Sequence, residues 1–440
     1  MGLILKNGQV VKLDPLSLER LDLEVSNGRI AACAPQLIPT PADSVVDLQG
    51  HWLIPGLVCD HTHLYSALAR GMPAPKHAPT NFHEILKYVW WRLDQALDEE
   101  AIYYSALAGG IAAIRAGTTT LIDHHASPDY ISNSLTIVRQ ALSDLGLRAV
   151  LCYEATDRGG EAKYQLGLAE NRRALMESGG LYRALVGAHA AFTLSDNSLK
   201  LLADLATEFD CGIHIHVAED RLDLQNAQER HWPSLIDRLS QQRLLRPGSI
   251  LAHCTHLDQA ALQQVIDSGG WLIHNPRSNM NNGVGYAPIQ HFGNQAALGT
   301  DGIGADMLAE AQLAFYKSQD AHTGLLPSGA VKLLANGQKL ASTIFGEDLA
   351  GLSVGAPADL TILDYQTPTP PTADNLSGHF IFGLSAADVR SVMVAGRWLL
   401  RDRVVQTINS AEAMVKAQSA AAKLWARMAK VPYNFEGQPA

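Results

Sequence analysis

The stretch PGLVCDHTH at residues 55–63 decides the fold, because an apolar run ends there in polar side chains. Seven similar runs follow it, near 118–124, 147–154, 183–189, 211–217, 249–253, 270–274 and 296–300. Helix-like segments separate most of these runs, among them 99–116, 130–145, 195–209, 257–268 and 305–320. This alternation is typical of βα units with parallel strands. Polar residues stand at nearly every carboxyl end, where a barrel gathers them, so we predict a closed (β/α)8 barrel of the TIM type, with a doubly wound open sheet as the alternative.

The two ends of the chain have a different pattern, with short strand-like runs and Asn-Gly turns that indicate hairpins. Similar runs return at 355–365 and 389–405. Neither end is long enough to bury a core alone. We therefore expect residues 1–54 plus 355–440 to form one small composite β-sandwich with a C-terminal helix, and residues 55–354 to form the barrel.

The charge and the cysteine content of the chain limit the classes of partner and the compartment that we expect. The 440 residues carry 34 Lys+Arg against 44 Asp+Glu, a net charge of −10. Because no basic stripe appears, we expect neither nucleic acid nor a membrane surface as a partner. Five scattered cysteines without C-x-x-C spacing indicate a reducing compartment, and the absence of a signal-like or bilayer-length apolar run favours a cytoplasmic protein. A homodimer is the general expectation for its assembly.

Two H-x-H pairs end predicted strands. Alternate side chains of a strand point the same way, so His61 and His63 share a face and can bind one metal ion together. In HIHVAED at 214–220, His216 lies closer to the strand end than His214. His216 is therefore the better ligand, and we expect His214 to fill the barrel interior.

Three more residues extend this cluster. His253 ends a further strand in LAHCTH, and Asp301 ends the last one in LGTDGIGAD. Taken alone, each of these residues could instead be an ordinary hydrogen-bonded residue at a strand end or a helix cap. Together, imidazoles and a carboxylate suit one divalent metal ion, zinc or alternatively iron, and zinc lowers the pKa of a coordinated water to about 7. Glu219, where the strand of His216 gives way to a loop, is placed to hang over a substrate at that ion.

These motifs carry a resemblance. PGLVCDHTH, HVAE, LAHCTH, HNPRSNM and LGTDG resemble, in order, the motifs of the amidohydrolase superfamily, in its deaminase and chlorohydrolase branch. The similarity covers essentially the whole chain. YVWWRLDQALDEEAIYYS, LIDHHASP, HNPRSNMNNGVGY and LGTDGIGADM look closest to the aminohydrolases called SsnA.

The resemblance implies a role for each matched residue. The implied metal ligands are His61, His63, His216 and Asp301. The implied catalytic residues are Glu219 as a proton shuttle to the ring nitrogen of the substrate, His253 as the group that orients and helps to deprotonate the attacking water, and Asp301 as a base. His189, in VGAHAAFT, matches a histidine that contacts substrate in several relatives, although an ordinary strand-end histidine is nearly as good a reading.

Five further side chains are candidates for substrate contact. His125 ends the second strand and faces the site or a structural network. Trp91 and Arg92 would form an aromatic and cationic wall for a flat heterocycle, with core packing as the alternative. Arg277 and Asn279 lie on a loop after the seventh strand, where barrel enzymes recognise their substrates.

The site predicts an enzyme that deaminates an amino-substituted N-heterocycle, purine- or pterin-like, with release of ammonia. Glu219 favours this reaction because departing ammonia needs a proton. One alternative keeps the site but removes chloride or an alkylamine from a triazine-like ring. The other is a non-catalytic scaffold of the same fold.

Overall fold

The computed structural model describes residues 2–433 and contains eighteen strands within them. In chain order the strands are β1 Leu3–Leu13, β2 Leu16–Ser26, β3 Arg29–Ala34, β4 Ser44–Asp47, β5 Trp52–Pro55, β6 Leu57–Thr62, β7 Thr118–His125, β8 Arg148–Tyr153, β9 Tyr182–Ala184, β10 Val186–Ala190, β11 Ile213–Val217, β12 Ile250–His253, β13 Trp271–His274, β14 Ala296–Leu298, β15 Leu360–Leu363, β16 Val389–Val394, β17 Arg397–Arg401 and β18 Val404–Val405.

The same residues contain fourteen α-helices, and a π-helical turn, Leu86–Trp90, joins the first two. The helices are α1 Phe82–Ile85, α2 Trp91–Gln95, α3 Glu99–Arg115, α4 Ser134–Leu145, α5 Glu161–Met176, α6 Asp196–Glu208, α7 Arg221–Glu229, α8 Leu235–Gln241, α9 Gln259–Asp267, α10 Pro276–Asn282, α11 Met307–Asp320, α12 Pro327–Phe345, α13 Leu376–Phe382 and α14 Ser410–Met428. Their bounds follow local chemistry: α6 begins where the Ser195 side chain accepts a hydrogen bond from the Ser198 amide, and α12 ends at Gly346, whose φ is 67°.

The barrel is built from two parallel arcs, β6-β7-β8-β9 and β10-β11-β12-β13-β14. A parallel bridge between Ala155 and Ala188 joins the arcs on one side, and a bridge between Thr62 and Asp301 joins the first strand to the last. The prediction of a closed barrel is therefore confirmed, and an open sheet is excluded. The run predicted at 183–189 is divided into β9 and β10.

Strands from both ends of the chain share a nine-stranded sheet, in the order β18-β17-β16-β15-β5-β1-β2-β3, with β4 beside β1. β5 connects the two ends, because it pairs parallel with β1 and antiparallel with β15. The sheet buries its own apolar cluster, which includes Leu23, Leu53 and Met393. The expected terminal β domain is confirmed, whereas the boundaries 1–54 plus 355–440 and 55–354 stay a prediction.

Two features fix the barrel to the terminal elements. The buried Arg148, at the start of β8, forms an ion pair with Asp359, just before β15, with 2.5 Å between Nε and Oδ2. The helix α14 packs on α3, and the indole of Trp425 donates to the Leu68 carbonyl at 2.9 Å. Within residues 2–433, none of the helices combines the length and the apolar character that crossing a bilayer requires.

Candidate active site

The four predicted ligands meet at the carboxyl ends of the barrel strands. His61 lies in β6 and His63 directly follows it, His216 lies in β11, and Asp301 follows β14. His63 Nε2 lies 2.8 Å from Asp301 Oδ1 and 3.1 Å from His216 Nε2, and His61 Nε2 lies 3.4 Å from the same Asp301 oxygen. Residues from three strands thus present one oxygen and three nitrogens to a common point.

The other nitrogen of each imidazole is already engaged. His61 Nδ1 contacts His214 Nε2 at 2.8 Å, His63 Nδ1 contacts the His124 carbonyl at 2.5 Å, and His216 Nδ1 contacts the His189 carbonyl at 2.7 Å. A carbonyl only accepts, so Nδ1 of His63 and of His216 donates, and Nε2 is the atom left to bind a cation. His214, which we expected in the barrel interior, is buried and holds the ring of His61 in place through this contact.

The donor set fits a divalent cation. His61 Nε2 is buried and makes no hydrogen bond within the described residues. Leaving such an atom without a partner costs free energy, which a cation would recover. Burial lowers the pKa of His61 to about 3, so this imidazole is neutral, the form that binds a cation. Against the effect of burial, Asp301 raises the pKa of His63 to about 10. Although burial opposes it, the nearby His61 and His63 hold the pKa of Asp301 well below its ordinary range.

The candidate ligand atoms support two groupings. One set within 4.8 Å contains His61, His216, His253 and Asp301, and a second contains His61, His63, His124 and His216. His61 and His216 are common to both. Imidazole and carboxylate ligands of this kind are those that zinc takes in its catalytic sites.

Glu219 and His253 stand beside the ligands. Glu219 Oε2 lies 3.5 Å from His253 Nε2, and Glu219 Oε1 accepts a hydrogen bond from Asn282 Nδ2 at 3.2 Å. Burial raises the pKa of Glu219 to about 7, while His253 acts in the opposite direction. A carboxyl group with this pKa can hold and release a proton near neutrality.

Strained backbone holds two of these groups in place. His253 has a φ of 74° and Asp301 a φ of 52°, both in the left-handed region that favours glycine. Non-glycine residues in this region cost about 1–3 kcal/mol each and are typical of functional sites. These two backbone conformations change the direction of the chain at the end of β12 and just after β14.

A cavity of about 710 Å³, its mouth included, opens over the cluster. Of the predicted substrate contacts, Trp91 and His189 line it, together with the aromatic Phe82, Trp90 and Phe192. Its polar lining includes Asp94, Glu154 and Arg158. Flat aromatic walls beside a few charged groups suit a planar heterocycle with polar substituents.

Four other predicted contacts are not brought to the cavity wall. Arg92 donates to the Met428 carbonyl at 2.7 Å, because its helix turns it toward the end of the chain. His125 is buried against the Ser127 hydroxyl, with 3.0 Å to Nε2. The remaining two lie on α10 instead of a loop, where Arg277 forms an ion pair with the buried Glu310 and Asn279 contacts His253.

Sequence reasoning missed several lining residues. Glu154 Oε1 lies 3.2 Å from His63 Nδ1 and 3.3 Å from His124 Nδ1. Its signal was present, because Glu154 directly follows β8 and so stands at a barrel strand end, as His63 and Asp301 do. Asn282 lies four residues after Ser278 on one helix and contacts it, a spacing that predicts a shared face.

Several known proteins of similar sequence are deaminases. A 5'-deoxyadenosine deaminase of Methanothermobacter thermautotrophicus is 31% identical over 429 residues, which cover 94% of this chain and 96% of the relative. A 5-methylthioadenosine/S-adenosylhomocysteine deaminase of Desulforudis audaxviator is 28% identical, with 96% and 99% covered.

Solved structures share the fold. An adenosine deaminase from Xanthomonas campestris with bound zinc superposes with a TM-score of 0.84 at 21% identity, covering 96% of this chain and 98% of that one. Atrazine chlorohydrolase from Arthrobacter aurescens, complexed with zinc, gives 0.82 at 18% identity, with 95% and 100% covered. Residues 52–399 match the amidohydrolase family, and with the 31% identity above this shows that the chain belongs to the amidohydrolase family.

Proposed function

We propose that this protein is a metal-dependent deaminase that hydrolyses the exocyclic amino group of an adenine-type purine, carried as a nucleoside, and releases ammonia. The names of its relatives support this substrate class, since the two described above act on adenosine derivatives. We also propose that the protein is related to the SsnA aminohydrolases, because the motifs quoted above resemble theirs.

The cation is proposed to be zinc, held by His61, His63, His216 and Asp301. Support comes from the convergence of their Nε2 and Oδ1 atoms and from the zinc in two solved relatives. A zinc ion held there would supply a water with a pKa near neutrality as the nucleophile.

The side chains supply the proton transfers. Glu219, protonated near pH 7, donates its proton to the ring nitrogen beside the reacting carbon. The attacking water loses a proton to Asp301 and is oriented by His253, and its oxygen bonds to the carbon. Glu219, now ionised, takes the hydroxyl proton of the intermediate and passes it to the amino group, so the carbon–nitrogen bond breaks, ammonia leaves and the ring carbonyl forms. The proton held by Asp301 then returns to Glu219, which restores both groups to their starting states.

One observation carries the proposal: a carboxyl group with a raised pKa, Glu219, lies 3.5 Å from His253 in the same cavity as the ligand cluster. Expelling chloride needs no proton on the leaving group, whereas expelling ammonia does. A buried acid at this place therefore favours deamination over dechlorination.

Ammonia release tests the proposal directly. Zinc-loaded enzyme would be incubated with adenosine, 5'-deoxyadenosine, methylthioadenosine, guanine, 8-oxoguanine, cytosine, a pterin and two triazines, one bearing chloride. We expect ammonia from an adenine nucleoside, and Glu219→Gln should lower kcat by about 10²–10⁴-fold while the zinc content is unchanged. Silence across the adenine nucleosides would reject the substrate class, and chloride release alone would establish the alternative reaction.

A further inference from the structure

One short helix contacts all three acid–base groups. α10 spans seven residues, and three of its side chains point to different partners. Ser278 Oγ donates to Asp301 Oδ2, Asn279 Oδ1 lies 2.8 Å from His253 Nδ1, and Asn282 Nδ2 donates to Glu219 Oε1 at 3.2 Å. All three side chains are buried.

The helix is itself fixed from behind. Its Arg277 forms an ion pair with Glu310 of α11, which is fully buried, and donates to the Gly304 carbonyl at 2.8 Å. Asn282 Nδ2 also donates to Ser278 Oγ at 3.3 Å, so two of the three contacts are linked. A buried and connected network of this kind restricts each member to one rotamer.

We propose that α10 is the positioning element of the acid–base groups and selects which atom of each one works. The amide oxygen of Asn279 accepts the Nδ1 proton of His253, which leaves the lone pair on Nε2, beside Glu219. The amide nitrogen of Asn282 donates to Oε1 of Glu219, so the acidic proton resides on Oε2, the oxygen nearer to His253.

Ser278 makes the same kind of selection at Asp301. Its hydroxyl occupies Oδ2, while Oδ1 faces His61 and His63. The roles given to His253, Glu219 and Asp301 rest on the proposed function, because that function defines the reaction. The orientation of the side chains does not depend on the substrate.

Kinetics of paired variants test the proposal. Asn279→Leu removes the acceptor, whereas Asn279→Asp keeps one, and Ser278→Ala and Ser278→Thr form a second pair. We expect the first member of each pair to lower kcat by about 10–100-fold, with KM within about twofold and zinc content unchanged, and the second to recover most of the rate. Met280→Ala, on the exposed face of the same helix, is the matched control.

A spectroscopic readout separates this proposal from the substrate assignment. In zinc-loaded enzyme labelled with ¹⁵N-histidine, the His253 signals, identified by their loss in His253→Gln, should show a protonated Nδ1 and an unprotonated Nε2. Asn279→Leu should abolish that single tautomer. If the tautomer and kcat both survive in Asn279→Leu, α10 does not position His253. If the tautomer changes as expected while no purine is deaminated, only the proposed substrate fails.

Discussion

At the scale of the residue, burial gives Glu219 its chemistry. An exposed glutamate is ionised at neutral pH and has no proton to donate. Here burial raises the pKa of Glu219 to about 7, and the hydrogen bond from Asn282 acts in the opposite direction. A substantial fraction of Glu219 is therefore protonated near pH 7, the pH range in which the attacking water must also lose a proton.

The pH dependence of the reaction follows from this balance. Because the protonated form predominates below the pKa, the limb of the kcat/KM profile that reports Glu219 should fall as the pH rises through about 7. Asn282→Ala removes a hydrogen bond that lowers the pKa of Glu219, so the fall should move to higher pH. A profile with no falling limb near pH 7, or a falling limb that Asn282→Ala leaves in place, would contradict the assignment of Glu219 as the proton donor. Steady-state rates between pH 5 and 9 provide the measurement.

At the scale of the element, the segment between β6 and α3 forms the aromatic wall. α1, the π-helical turn and α2 follow one another without a break, and Phe82, Leu86, Trp90 and Trp91 from this segment line the cavity. The guanidinium of Arg158 lies over the Trp91 ring, 4.5 Å from its centroid. An indole held in this way offers a flat face to a purine.

Trp91 should therefore contribute to substrate binding. Stacking of a base on an aromatic side chain is worth about 1–3 kcal/mol, so Trp91→Ala should raise KM by roughly 10-fold or more, with a smaller effect on kcat. Trp91→Phe keeps an aromatic face and should lose less. An unchanged KM in Trp91→Ala would remove this residue from the binding surface. The comparison needs only saturation curves of the three proteins.

This segment also shows where sequence reasoning succeeds and where it stops. The sequence predicts that His61, His63 and His216 face one site, because side chains alternate along a strand and barrel strands end at one face. Trp91 and Arg92 are neighbours, yet one lines the cavity and the other binds the Met428 carbonyl, distant in sequence. The direction of a helical side chain depends on such tertiary partners, so the substrate contacts could not be assigned from local pattern.

At the scale of the whole molecule, the ligand cluster lies across the closure of the barrel. The bridge between Thr62 and Asp301 is the parallel pairing that joins the first barrel strand to the last. His61 and His63 stand on one side of this closure and Asp301 on the other. A cation bound to all three would hold the two strands together.

Removing the metal should therefore weaken the whole barrel. A ligand that binds only the folded state stabilises it, so the chelated protein should unfold at a lower temperature than the zinc-loaded one, and added zinc should restore the difference. His61→Ala and Asp301→Ala should bind little zinc and show no such shift, whereas Glu219→Gln should behave as the native protein. Equal melting temperatures with and without zinc in the native protein would argue against a cation at the closure. Differential scanning calorimetry with metal analysis gives both quantities.

The same closure has a consequence for biosynthesis. A ribosome releases His61 and His63 long before Asp301, because the bridged residues Thr62 and Asp301 are 239 positions apart in the chain. The growing chain therefore carries two of the four proposed ligands, His61 and His63, until His216 follows, and it lacks the fourth until Asp301 is made. Correct metallation is then a late event, which waits for β14 to emerge and seal the ring.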